Sequence, residues 1–216
     1  MKITYLGHSC FCIEGKNGTK LITDPYTKVG YELPKDLSAD ILLCSHGHFD
    51  HNYVRAIGGN PLIFTESGKY SVNGIDIEGF DSWHDPKQGA LRGKNVIFHF
   101  TVDGVRFCHF GDLGESYCDD VAKKVSNADV WLIPVGGTYT IDAAQAKEYI
   151  DKLSPKVVIP MHYLPADGAL DIAKIDGFLS QVDEDSVIFC QAGEYILDKA
   201  YLDEMNGKII YMERRK

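Results

Sequence analysis

Residues 44–52 read CSHGHFDHN, directly after the apolar run ILL at 41–43. His46, His48, Asp50 and His51 fall within six consecutive positions and take three of the chain's eight histidines. Neutral imidazole and carboxylate are the usual nitrogen and oxygen donors to Zn²⁺ and related ions. In extended backbone, residues i and i+2 point the same way, so His46 and His48 are expected to reach one ion together. A turn after them would carry Asp50 and His51 to a second ion beside the first. Three imidazoles and a carboxylate packed together without a cation would have poor partners. Metal binding is therefore preferred over a solvated or core-satisfied histidine group.

Further donors are expected in a consistent place. His84 follows the strand-like DIEGFDSW, Asp112 ends VRFCHFGD between Gly111 and Gly114, and His162 follows KVVIP. Each lies just past the carboxyl end of an expected strand, where ligand sites of α/β sheets collect. His8, in GHSC, is read as pocket-lining or supporting a ligand, with a structural role the alternative. Asp24, in ITDP, could orient a ligand imidazole or form a turn before Pro25. His99 and His109 lie within apolar strands and are assigned structural roles; His109 has opposite parity to Asp112 and is expected to face away from the site.

The 216 residues, 44% apolar and 25% charged, suit an ordinary globular chain forming one domain over 1–216. No apolar run approaches the roughly 20 residues of a membrane span, and the strand-like N-terminus lacks a signal-peptide core. The cytoplasm is the expected compartment, and the six cysteines are expected as free, mostly buried thiols. A net charge of −9 without a basic stripe argues against nucleic acid as a partner. A small-molecule substrate is expected, and assembly into a homo-oligomer is compatible with the sequence.

Strands are expected around the turns KNGT, NG at 73–74 and DG at 103–104, and in ILLCS, PLIFTE, VWLIPV, KVVIP, SVIFCQ, GEYILD and KIIYM. Helices are expected over 115–127, 141–153 and 171–182, and a late hairpin turn in EMNGKI. The pattern gives α/β with mixed sheets, buried on both faces where runs such as VWLIPV are continuously apolar.

The ordered set HGHFDH, His84, GDLG and PMHY resembles the metallo-β-lactamase superfamily, and the resemblance runs from TYLGHSCF and LITDP to PMHY. Within it, HDPKQGALRGKNVIFHF, GVRFCHFGDLG and IPVGGTYTIDAAQA look like small stand-alone metal-dependent hydrolases that include ascorbate-6-phosphate lactonase-like proteins. The resemblance implies a four-layered αββα sandwich with the site at one edge. It implies His46, His48 and His84 on a first metal, Asp50, His51 and His162 on a second, and Asp112 bridging them. Zinc is the implied ion, with manganese, iron and nickel alternatives.

Two such ions would generate a bridging hydroxide as nucleophile, with Asp50 orienting it and shuttling a proton. The implied reaction is hydrolysis of an ester, lactone, amide or phosphodiester, with lactone or phosphoester favoured. Arg92 could meet a substrate anion and Tyr139 a developing oxyanion; surface exposure and packing are their bland readings. The rival classes are a di-iron redox protein, a nucleic-acid-processing enzyme and a metal-binding module without catalysis. The first usually carries a flavin domain and a carboxylate-richer ligand set, and the second an inserted domain and a basic surface; neither pattern is expected from these 216 residues.

Overall fold

In the computed structural model, which describes residues 1–215, the first strands alternate between two apolar neighbourhoods. Ile3 and Tyr5 of β1 (Lys2–Gly7), Phe11 and Ile13 of β2 (Cys10–Glu14), Leu21 of β3 (Lys20–Thr23) and Ile41 and Leu43 of β4 (Ile41–Leu43) enter the main core. Leu6, Cys10, Ile22 and Leu42 face the other way, into a smaller cluster with Tyr26, Val29 and Ile57. Residues two apart share a strand face, so this sheet is buried on both sides. With β5 (Leu62–Phe64) and β13 (Glu194–Ile196) it has six strands in the order β13-β1-β2-β3-β4-β5.

The larger sheet contains β6 (Gly68–Val72), β7 (Ile75–Trp83), β8 (Lys94–Val102), β9 (Val105–His109), β10 (Val130–Pro134), β11 (Val157–Met161), β12 (Val187–Cys190) and β14 (Lys208–Met212). Its order is β12-β14-β11-β10-β9-β8-β7-β6. Inner faces of both sheets feed one core. Helices α1 (Asp119–Val125) and α2 (Ala143–Leu153) pack against β8 and β10, and the short α3 (Asp176–Leu179) against α2. Asp142 accepts from Gln145 N while Gln145 Oε1 accepts from Asp142 N, a reciprocal cap that starts α2. On the smaller sheet, the residues that cover the outer face come from the loop after β3 and a 3₁₀ turn at Val54–Ala56. The result is the expected α/β sandwich, with one outer layer thinned to loop. Among the described residues no helix is long and apolar enough to cross a membrane.

Three expected elements differ. Cys118 does not join the first helix; it is extended, exposed and precedes α1. The helix expected over 171–182 shrinks to α3, because Ala173 O accepts from Leu164 N and Ala173 N donates to Gly136 O, which keeps the first half out of a helix. The turn at Asn206-Gly207 closes no hairpin: β13 pairs with β1 in one sheet, while β14 lies parallel between β11 and β12 in the other.

Strand direction places the site. β1 and β3 both oppose β2, so they run the same way, and β4 is parallel to β3. β7 and β9 both oppose β8, and β9, β10 and β11 are parallel. Each sheet therefore brings three of its carboxyl ends, those of β1, β3 and β4 in one and of β7, β9 and β11 in the other, to the edge that carries the site. Backbone bonds join those edges, among them His162 N to His8 O at 2.9 Å and Val96 N to Ser45 O at 2.8 Å.

Candidate metal centre

Six strands deliver the site from their carboxyl ends. His8 follows β1, Asp24 follows β3, His46 to His51 follow β4, His84 follows β7, Asp112 follows β9 and His162 follows β11. His8, Asp24 and His162 have φ of 54°, 38° and 53°. This left-handed backbone costs non-glycine residues on the order of 1 kcal/mol each, and it turns the chain sharply where a strand would have run on. Gly111, φ 55°, does the same before Asp112; a Cβ there would overlap Asn95 Oδ1 and Ser45. Asp112 N donates to Asn95 Oδ1 at 2.9 Å, and Asn95 Nδ2 donates to Ser82 Oγ and Phe110 O.

The donors form two groups. His46, His48 and His84 meet with ring centroids 4.5, 4.6 and 5.0 Å apart. The chain then turns, with His51 N donating to His48 O at 3.0 Å. That turn brings Asp50 and His51 to His8 and His162, with donor atoms all within 4.8 Å of one another. Asp112 lies between the groups: its Oδ2 is 3.1 Å from His51 Nε2, 3.2 Å from His162 Nε2, 3.3 Å from His84 Nε2 and 4.0 Å from His46 Nε2. All seven residues expected to bind metal are thus brought together, from both sheets.

Buried Asp24 braces this array. Its carboxylate accepts from Ser45 N and Ser45 Oγ at 2.7 Å each, and from His51 Nδ1 and His109 Nε2 at 2.9 Å each. A carboxylate only accepts, so His51 bears its proton at Nδ1 and turns Nε2 to the cluster. Ser45 Oγ has given its proton to Asp24, so at 2.9 Å it accepts from His46 Nδ1. His46 therefore also presents Nε2. One carboxylate sets the ring orientation of a histidine in each group, the role expected of Asp24.

His109 corrects the parity argument. It points towards the centre and donates to Asp24, because Gly111 resets the alternation between positions 109 and 112. His99 is structural as expected, donating from Nε2 to Lys124 O at 2.8 Å.

Burial, reinforced by His51, pushes the His46 imidazole well below the usual range; burial also lowers His84. Burial and neighbouring His162 bring His8 down to about 4. These rings are neutral near pH 7, the form that binds a cation. Burial also opposes charge on Asp112, but His162 and His51 outweigh it and hold the carboxyl well down. At Asp50, burial is outweighed by the hydrogen bond to His8 and by His51, again to a low value. His51 is the exception: burial works against its charge, yet Asp112 and Asp24 on either side raise it well above the histidine range. A proton on His51 and a cation in the cluster are alternatives.

Donors are left over. His46 Nε2, His162 Nε2 and Asp112 Oδ1 are buried without a hydrogen-bond partner. Buried polar atoms are rarely left so, and these three, one in each group and one on the Asp112 between them, fit bound cations.

At the rim, Arg92 Nη2 donates to Thr138 O at 3.0 Å and its guanidinium lies 5.4 Å from the centre of the Tyr139 ring. The two residues singled out as substrate candidates thus touch each other, linking two loops. Asp85, not singled out, organises the first loop by accepting from the backbone N–H of Lys87, Gly89, Leu91 and Arg92. Burial raises its carboxyl, and those four bonds outweigh it, for a net lowering. An Asp followed by a turn could have signalled this. Ser45 and Asn95 were also missed; their partners lie far along the chain.

Residues 2–162 match the β-lactamase superfamily domain. The chain belongs to the metallo-β-lactamase superfamily. A UPF0173 metal-dependent hydrolase of Thermoplasma volcanium is 30% identical over 202 residues, covering 82% of this chain and 87% of the relative. One from Pelotomaculum thermopropionicum is 31% identical over 195 residues, covering 76% and 84%. The crystal structure of a Thermotoga maritima protein assigned to the Zn-dependent hydrolases of the superfamily superposes with a TM-score of 0.80 at 34% identity, covering 98% of each chain. The superfamily member described here falls with these metal-dependent hydrolases.

Proposed function

We propose that this superfamily member is a dinuclear hydrolase of a small ester, lactone or phosphoester, as ascorbate-6-phosphate lactonase-like proteins would be. The carrying observation is the convergence of buried donors that make no hydrogen bonds, His46 Nε2, His162 Nε2 and Asp112 Oδ1. Charge agrees: Asp24, Asp50 and Asp112 are all held ionised, and two divalent cations outweigh three carboxylates where one would not. His46, His48 and His84 would hold one ion, Asp50, His51 and His162 the other, and Asp112 both. Zn²⁺ is the proposed metal; Mn²⁺, Fe²⁺ and Ni²⁺ suit the same donors.

When bound, the pair polarises the substrate carbonyl or phosphoryl oxygen and lowers the pKa of water towards neutrality. The chain does the rest. Asp50 is half-buried and faces His8, so its carboxylate can orient the attacking water and take its proton. Arg92 spends one nitrogen on Thr138 O and keeps further donors for an anionic substrate group. Tyr139, 37% exposed at the rim, supplies a hydroxyl for the oxyanion that develops. The six cysteines, none in a disulfide, support a reducing compartment, the cytoplasm.

The test is to strip the protein with chelator, restore each candidate ion in turn, and assay lactones, phosphodiesters and thioesters. Activity that returns with metal supports the reading. Equal activity in stripped and restored protein overturns it.

A further inference from the structure

His8 belongs to neither set of donors assigned above, yet its ring lies inside the buried group. Its Nε2 is 3.2 Å from His51 Nε2 and 3.4 Å from Asp50 Oδ2, and its ring centroid is 4.2 Å from that of His162. The side chain is 1% exposed. Its backbone is pinned as well: His8 O accepts from Tyr5 Oη at 3.0 Å and from His162 N at 2.9 Å.

Two roles compete for such a ring. In a supporting role, Nε2–H would donate to a neighbour. His51 cannot accept while its lone pair serves a cation, since its Nδ1 proton is committed to Asp24. Asp50 would accept at 3.4 Å, longer than the roughly 2.7–3.2 Å of an ordinary N–H···O bond. In a ligand role, donors sit about 2.1 Å from an ion. Two donors on one ion are then about 3.0 Å apart at a right angle and about 3.4 Å apart at a tetrahedral angle. The separations from His8 to His51 and Asp50 match the edges of such a polyhedron.

We infer that His8 Nε2 is a further ligand of the cation in the buried group. The inference rests on the metal-binding reading above and deepens it. That ion is then met by His8, Asp50, His51, His162 and Asp112, while the other is met by three imidazoles and Asp112. The first set suits ions that accept five or six donors, such as Mn²⁺, Fe²⁺ or Co²⁺; the second suits tetrahedral Zn²⁺.

The probe is Co²⁺ added to metal-free protein, followed by absorption and by proton NMR. The variant is His8→Asn, because asparagine tolerates left-handed backbone and is too short to reach the ion. Wild type should show contact-shifted ring protons from six imidazoles, those of His8, His46, His48, His51, His84 and His162. His8→Asn should lose one of these sets and bind one of its two Co²⁺ ions at least tenfold more weakly, with the other unchanged. His8→Gly should repeat the loss. Affinities within twofold of wild type, with all shifted sets retained, would overturn the assignment. If neither variant folds, the assigned wild-type spectrum decides: a shifted His8 ring supports the assignment, and an unshifted His8 ring overturns it. If wild type takes a single ion, the dinuclear reading fails, and the same comparison on that ion judges His8.

Discussion

His48 is exposed, and the group it forms with His46 and His84 opens to solvent, whereas His8, His51 and His162 are at most 1% exposed. The bracing differs too. In the open group His46 leans on Ser45; in the buried group His51 leans on Asp24, and His8 and His162 are held by left-handed backbone and by their shared hydrogen bond. Buried polar side chains must find partners or cost stability, so the buried group is built into the fold. The open group keeps a face for exchange with solvent and substrate. Perturbing the two should therefore give different ratios of lost metal to lost stability.

The largest effect is expected where the comparison collapses. Asp112 serves both groups, so Asp112→Ala should release metal from both and lower turnover by more than the roughly 100-fold reached by supporting residues. Metal analysis beside a rate assay checks this, and unchanged metal content would end its bridging role. Asp24→Ala should discriminate. It leaves His51, His109 and Ser45 unpaired in the interior, at a cost of about 3–5 kcal/mol by analogy with broken buried ion pairs. Denaturant melts should show that loss, and chelator titration should strip the buried group first. If the open group empties first, the assignment of rigidity is reversed.

His99, outside both groups, supplies a control. Burial first, then Arg106, lowers its imidazole to about 4. The unfolded chain takes up this proton near pH 6.5, the folded one only near 4. Between those values the unfolded state binds more protons, so stability falls as pH falls through the window and levels off below it. The expected contribution is on the order of 3 kcal/mol, and His99→Gln should flatten that part of the pH–stability curve without changing metal content. A curve that keeps its shape would place the titration elsewhere. The smallest effect is expected for His109→Gln, which still offers Asp24 a donor: about 1 kcal/mol in a thermal melt, with metal stoichiometry intact. Loss of an ion would mean that Asp24 needs His109 to hold His51.

The donor set was legible because its logic is local. His46 and His48, two residues apart, bring their rings together at a 4.5 Å centroid separation, and His84, Asp112 and His162 each follow an apolar strand. Asp50 and His51 needed only a turn, which the bond from His51 N to His48 O supplies. What stayed hidden depends on contacts distant in sequence or on backbone sign. The left-handed Gly111 reverses the facing of His109. Ser45 and Asn95 matter through Asp24 and Asp112, 21 and 17 residues away. The apolar spacing of 171–182 is helical, but Leu164 and Gly136 claim its backbone. Asn206-Gly207 has hairpin chemistry, but its neighbouring strands were recruited by different sheets.

Each donor group draws on both layers of the sandwich, the open one through His84 and the buried one through His162. At the far rim the corresponding ties are slight: Met1 and Lys16 N both reach the single Asp103 carboxylate on a two-residue turn. Loaded with cations, the site is the spine of a book whose pages can part only from the opposite side. Breathing of the two sheets should therefore begin around Asp103, and amide exchange there should run ahead of exchange beside the histidines.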